Sequence, residues 1–161
     1  MILGMSLATF TLVHVVISLI GILTGLVVLA EMLAGGRLGG WNAVFLATTV
    51  ATSVTGFFFP SASFGPAHVV GVISLVALAV ALFALYGRSL AGAWRAIYVV
   101  TAVLALYLNV FVAAVQAFQK QAFLAALAPT QSEPPFLAAQ GIVLVAFLVL
   151  GFLAVRRFPP G

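Results

Sequence analysis

Charge is what this chain has least of: 161 residues carry six basic side chains, two acidic ones and no cysteine. Without cysteine there are no disulfides, thiol redox chemistry, thiolate metal sites or cysteine lipidation. A soluble domain would carry about 25% charged residues. Here the share is 5%, too little to build a water-facing surface. The carboxylates Glu31 and Glu133 form no pair, and no nucleophile–base spacing stands out, so acid–base and covalent catalysis have little to draw on. The net charge of +4 does not point to nucleic acid, because the basic residues stand scattered at segment ends and form no solvated patch.

What the chain has is apolar length. Hydrophobic residues make up 65% of it and mean hydropathy is +1.36. Five runs lie at about 7–33, 41–59, 66–87, 94–118 and 134–156, each near the ~20 residues a helix needs to cross a bilayer. The expected fold is therefore all-α: one integral membrane helical bundle with five transmembrane helices and no soluble domain. No basic n-region or clear cleavage site accompanies the first run, so it reads as a retained helix. Breakers separate the runs. Gly35, Gly36, Gly39 and Gly40 end the first, and the stretch lacks the lysine of a phosphate-binding loop. Pro60 ends the second, Pro66 opens the third, and Ser132 to Pro135 suit a helix start.

Five crossings put Arg37, Arg88, Arg95, Arg156 and Arg157 on one side and Lys120 alone on the other. That bias predicts a cytoplasmic arginine side, an external N-terminus, and Trp41 and Trp94 as interfacial anchors. Beside that boundary, Glu31 and Arg37 are expected to form an interfacial ion pair of little consequence.

The fourth run has two unlike faces. Tyr98, Ala102, Ala105, Asn109, Ala113, Gln116 and Lys120 recur at helical spacing, all small or polar, while Ile97, Val100, Leu104, Leu108, Phe111, Val115 and Phe118 form a bulky opposite face. Small and polar residues mediate helix contacts in lipid, so the first face should meet the bundle and the second the lipid. Thr48, Thr52 and Thr55 make a shorter stripe, as do Thr11, His14, Ser18, Gly21 and Gly25. Packing alone accounts for most of these, with threonines bonded to their own helix. The last run is nearly featureless after Gln140 and Gly141 and belongs at the periphery.

The only imidazoles, His14 and His68, both fall in the outer half of the bilayer. With Thr52, Thr55, Asn109 and Gln116 they outline an outward-facing polar pocket, and the turn bearing Glu133 is placed to fold over its mouth. Polar groups at such depth are a functional hypothesis by default. The expected function is non-catalytic: the pocket holds a small ligand, or the chain serves a partner. The principal alternative is a b-type haem between His14 and His68; otherwise no cofactor is expected, and two imidazoles make a poor divalent-metal set. A weaker alternative is an oligomeric channel or transporter, for which charge rings, re-entrant loops and inverted repeats are lacking. Expected partners are the lipid bilayer, with a homo-oligomer or membrane protein besides.

The stretch Leu106-Tyr107-Leu108-Asn109-Val110-Phe111, then Gln116-Ala117-Phe118 and Ala128-Pro129-Thr130-Gln131-Ser132-Glu133-Pro134-Pro135-Phe136, resembles a family of small, uncharacterised polytopic bacterial membrane proteins. The likeness covers 98–158 and implies a bacterial inner-membrane setting; it implies no activity.

Overall fold

The computed structural model describes residues 1–159, and among these there is no strand. The helices are α1 (Leu7–Leu33), α2 (Gly40–Gly56), α3 (Pro66–Leu82, continued by a π-helical turn over Phe83–Gly87), α4 (Trp94–Lys120), α5 (Ala122–Leu127) and α6 (Pro134–Arg157). Four of them, α1, α3 with its π-turn, α4 and α6, are long and apolar enough to cross a membrane. At 17 residues, α2 spans about 25 Å against a hydrocarbon core of about 30 Å. The expected run to Phe59 ends as helix at Gly56, and Phe57 and Phe58 continue it as a turn, their N–H groups donating to the carbonyls of Val54 and Thr55.

Local chemistry sets the ends. Ser6 caps α1 by accepting from the Thr9 N–H at 3.2 Å. At the far end Gly35 takes a positive φ of 74°, and the N–H groups of Gly35 and Gly36 donate to the carbonyls of Met32 and Glu31. This double bond pattern is a Schellman stop, which favours glycine in the left-handed position. At the start of α3, Pro66 occupies the first turn, and His68 Nδ1 accepts from the Gly65 N–H at 3.0 Å. A histidine thus does the work usually given to glutamate in a capping box. Helix α4 stops at Lys120 and does not run on to Ala128: Gln121 is extended, and the short α5 follows.

Neighbouring helices close a ring in the order α1, α2, α3, α4, α6 and back to α1, with α4 also reaching across to α1 and α2. One end of the ring, the arginine end, is sealed. Arg95 donates to the carbonyls of Val155 and Phe158 at 3.1 and 2.5 Å, and Arg157 donates to the Leu33 carbonyl at 3.3 Å. Each guanidinium therefore serves unpaired carbonyls at a helix C-terminus, where the dipole favours a cation. The expected Glu31–Arg37 pair is not formed; the described residues contain no ion pair, and Glu31 Oε2 is buried without a partner under the glycine turn.

The core lies in this same half of the bundle. Val28, Met32, Phe45, Leu78, Tyr98, Val99, Ala105 and Leu106 are buried together, and a hydrogen bond from the Tyr98 hydroxyl to Asn42 Oδ1 crosses it. Beside Gly25 lies a void of ≈ 10 Å³, no larger than one water. The bulky face of α4 departs from expectation. Val100 and Leu104 are exposed, but Phe118 is buried, because α6 packs on that side. Gly151 approaches Val103, Phe147 meets Tyr107, Phe136 meets Phe118, and Gln140 Nε2 donates to the Phe111 carbonyl at 3.2 Å. Apart from Ala154, no residue of α6 is fully buried.

Candidate functional site

The small, polar face of α4 changes character along its length. Tyr98, Ala102 and Ala105 are 0–2% exposed; Asn109 and Ala113 are half-buried; Gln116 and Lys120 are exposed. Between Leu106 and Phe118 no residue of α4 is fully buried. One face of one helix therefore leaves the packed core over about four turns. The bundle opens toward the lysine end.

The floor of this opening is a polar contact among three helices. A Cβ added to Gly21 of α1 would lie 3.2 Å from Asn109 Nδ2, 3.2 Å from Thr49 Oγ1 and 3.3 Å from Thr48 Oγ1. Asn109 Nδ2 reaches the Ser18 carbonyl at 3.5 Å, a long contact. Thr49 Oγ1 is buried with no partner. Sequence periodicity did not mark Thr49, since its hydroxyl lies off the Thr48–Thr52–Thr55 stripe.

His14 forms one wall, and its protonation pattern follows from its neighbour. Thr55 Oγ1 donates its single proton to the Ala51 carbonyl at 2.7 Å. The same oxygen lies 2.7 Å from His14 Nδ1, and which of the two atoms donates follows the tautomer of the ring. With the Thr55 proton on the Ala51 carbonyl, the neutral ring would carry its own proton on Nδ1 and leave the Nε2 lone pair free. Phe59 stands edge-on to the imidazole with centroids 5.0 Å apart, and Phe10 packs behind Phe59. In ¹⁵N spectra of the imidazole above its titration range, the wild type should show the Nδ1–H tautomer. Thr55→Val should move the population toward Nε2–H; an unchanged tautomer in that variant would contradict the assignment.

The other expected pocket residues have different employment. Thr52 donates to the Thr48 carbonyl at 2.8 Å, as a packing threonine does. His68 is committed at both nitrogens, accepting from Gly65 N–H at Nδ1 and facing the Ser61 hydroxyl at 3.3 Å from Nε2, with Phe64 stacked on its ring. Glu133 organises its own turn: its oxygens accept from the Thr130 hydroxyl at 2.7 Å and from the N–H groups of Thr130 and Ser132. Those donors, the Thr130 hydroxyl first, hold its carboxyl below the usual range. The turn docks back on α4 through Gln131, whose Nε2 donates to the Val115 carbonyl at 3.0 Å. Beside it a cleft of ≈ 360 Å³ is lined by Phe118, Gln119, Ala128 and Thr130 among others. Thus His14 and Thr55 are joined, Asn109 lies at the floor and Gln116 at the mouth, while Thr52, His68 and Glu133 are engaged elsewhere.

The two imidazoles do not suit a bis-histidine haem in this arrangement. His14 uses only Nδ1 in its hydrogen bond. His68 has its accepting nitrogen on the cap and its proton on Nε2, so ligation there would reverse the tautomer and cost α3 its N-terminal bond. No cluster of three or more metal-ligating side chains occurs among the described residues. No family model, curated protein or solved structure matches the chain.

Proposed function

We propose that this chain is a non-catalytic, multi-pass protein of the bacterial inner membrane that receives a small ligand in the polar opening between α1, α2 and α4. In this reading α2 is a fifth span, the arginine end faces the cytosol, and the N-terminus and Lys120 face outward. The observation that carries it is the passage of a single α4 face from full burial at Tyr98 to exposure at Gln116. A face that only packed helices would stay covered along its length. An opening with hydrogen-bonding groups at its floor and on its wall has the form of a binding site. The resemblance of the last third to small bacterial membrane proteins supports the setting.

Because the chain has no cysteine, single cysteines report on the opening cleanly. A membrane-impermeant thiol reagent added from outside should modify Gln116→Cys quickly and Ala113→Cys more slowly. Ala102→Cys and Ala105→Cys should resist it at least a hundredfold. Equal reactivity along the face would remove the proposed opening.

A further inference from the structure

The start of α3 is held by a titratable group. Its N-cap, Gly65, has no side chain to accept the first N–H groups, and the bond made there runs from the Gly65 N–H to His68 Nδ1 at 3.0 Å. A backbone N–H can only donate, so this bond fixes the tautomer. Nδ1 holds a lone pair, and the neutral ring carries its proton on Nε2, which faces the Ser61 hydroxyl at 3.3 Å. The same ring gathers the connector between α2 and α3 from end to end. Phe64 stacks on it with centroids 5.1 Å apart, and Phe57, the residue after α2, meets it at 5.7 Å. Ser61 and Phe64 are exposed and His68 itself is only partly covered, so water reaches this contact. Glutamate or glutamine, the usual residues at this third helical position, keep an accepting oxygen throughout the neutral range. An imidazole does not.

We infer that His68 is an acid-released latch: neutral, it holds the 57–65 connector on the start of α3, and protonated, it lets the connector go. The proton comes from the aqueous medium and adds to Nδ1, the atom that accepts from Gly65. An imidazolium has two donors and no acceptor, so N–H would face N–H and the ring must leave the cap. Its charge also falls at the positive end of the α3 dipole, which disfavours it there. The released form binds one more proton, so the latched form gains as pH rises and loses as pH falls. Phe57, Ser61, Phe64 and Gly65, the groups against the ring, do not titrate between about pH 5 and 8. Among the described residues no carboxylate, lysine or arginine bonds to either ring nitrogen. The other titratable side chain at this connector is His14 of α1, which meets Phe59 edge-on and has its hydrogen bond with Thr55 of α2. Release frees the middle of the connector while Phe59 keeps its seat against Phe10.

The test places a nitroxide label on Ser63→Cys, an exposed connector position in a full chain with no other cysteine, in detergent micelles. Between about pH 8 and about pH 5, label mobility with His68 in place should rise at least about twofold. The midpoint should match the titration of His68 in ¹⁵N spectra of the imidazole. His68→Gln supplies an acceptor that does not titrate, so its label should stay slow at both extremes. His68→Phe has no acceptor, and its label should be fast at both. A label that ignores pH with His68 in place would overturn the proposal. So would an equal acid response in His68→Gln, which would make His14 the sensor. If His68→Phe does not fold, the comparison of His68 with His68→Gln decides alone.

Discussion

Replacing Gly25 by leucine should be among the most damaging single changes in the bundle, lowering stability by about 3 kcal/mol, the upper range for overpacking a filled core. Even a Cβ there would lie 2.6 Å from Leu106 Cδ1 and 2.9 Å from the Phe45 ring. Both neighbours are almost fully buried, and the adjoining void of ≈ 10 Å³ cannot take a displaced methyl and a new side chain together. Glycine at this point lets α1, α2 and α4 approach closely, the usual role of small residues between helices in lipid. Gly141→Leu is the natural control, because nothing lies within 4 Å of its Cβ position. Denaturant or thermal unfolding in micelles should show a large loss for the first variant and a small change for the second. Equal effects would mean that Gly25 is not at a three-helix contact.

The second large effect is expected at the bond between Tyr98 and Asn42. Both are buried, and the Tyr98 hydroxyl donates to Asn42 Oδ1 across the space between α4 and α2. Tyr98→Phe leaves the amide oxygen unpaired and should cost about 1–3 kcal/mol. Tyr98→Ala also empties the centre of the core and should cost about 3–5 kcal/mol, as for other large aromatics. The informative measurement is the double-mutant cycle. Tyr98→Phe combined with Asn42→Leu removes both polar partners and should cost clearly less than the sum of the single changes. Strict additivity would show that the two side chains do not depend on each other.

Much of this architecture is legible in the sequence because bilayer physics leaves few choices. A run such as Leu7–Leu33 can satisfy its backbone in hydrocarbon only as a helix, and the glycine pair at 35–36 and Pro66 mark boundaries that local hydrogen bonding then enforces. The two faces of α4 are readable for the same reason, since side-chain size repeats at helical spacing. What the sequence does not carry is which helix covers which face. Phe118 reads as lipid-facing until α6 packs over it, and α6 itself has no polar stripe to announce the contact. The site divides in the same way. His14 and Thr55 are joined by a hydrogen bond and Asn109 meets α1 beside Gly21, because these residues sit on facing sides of neighbouring helices. His68 was placed by its depth alone, while its position at the third residue of α3 makes it a cap. Glu133 has donors one and three residues away, so its turn closes locally before anything distant can compete. Thr49 and the pairing of Asn42 with Tyr98 needed the relative rotation of α2 and α4, which no single-helix pattern contains.

The central claim is that α2 crosses the membrane, short as it is, so that the arginines lie in the cytosol and His14, Gln116 and Lys120 open outward. Single cysteines at Arg37 and Ser63, in the connectors before and after α2, test it most directly. In sealed right-side-out vesicles, an impermeant maleimide should modify Ser63→Cys at once and Arg37→Cys only after the membrane is permeabilised. Modification of both from the same side would mean that α2 does not cross, and reaction of Arg37→Cys alone would mean that the chain is inserted the other way round.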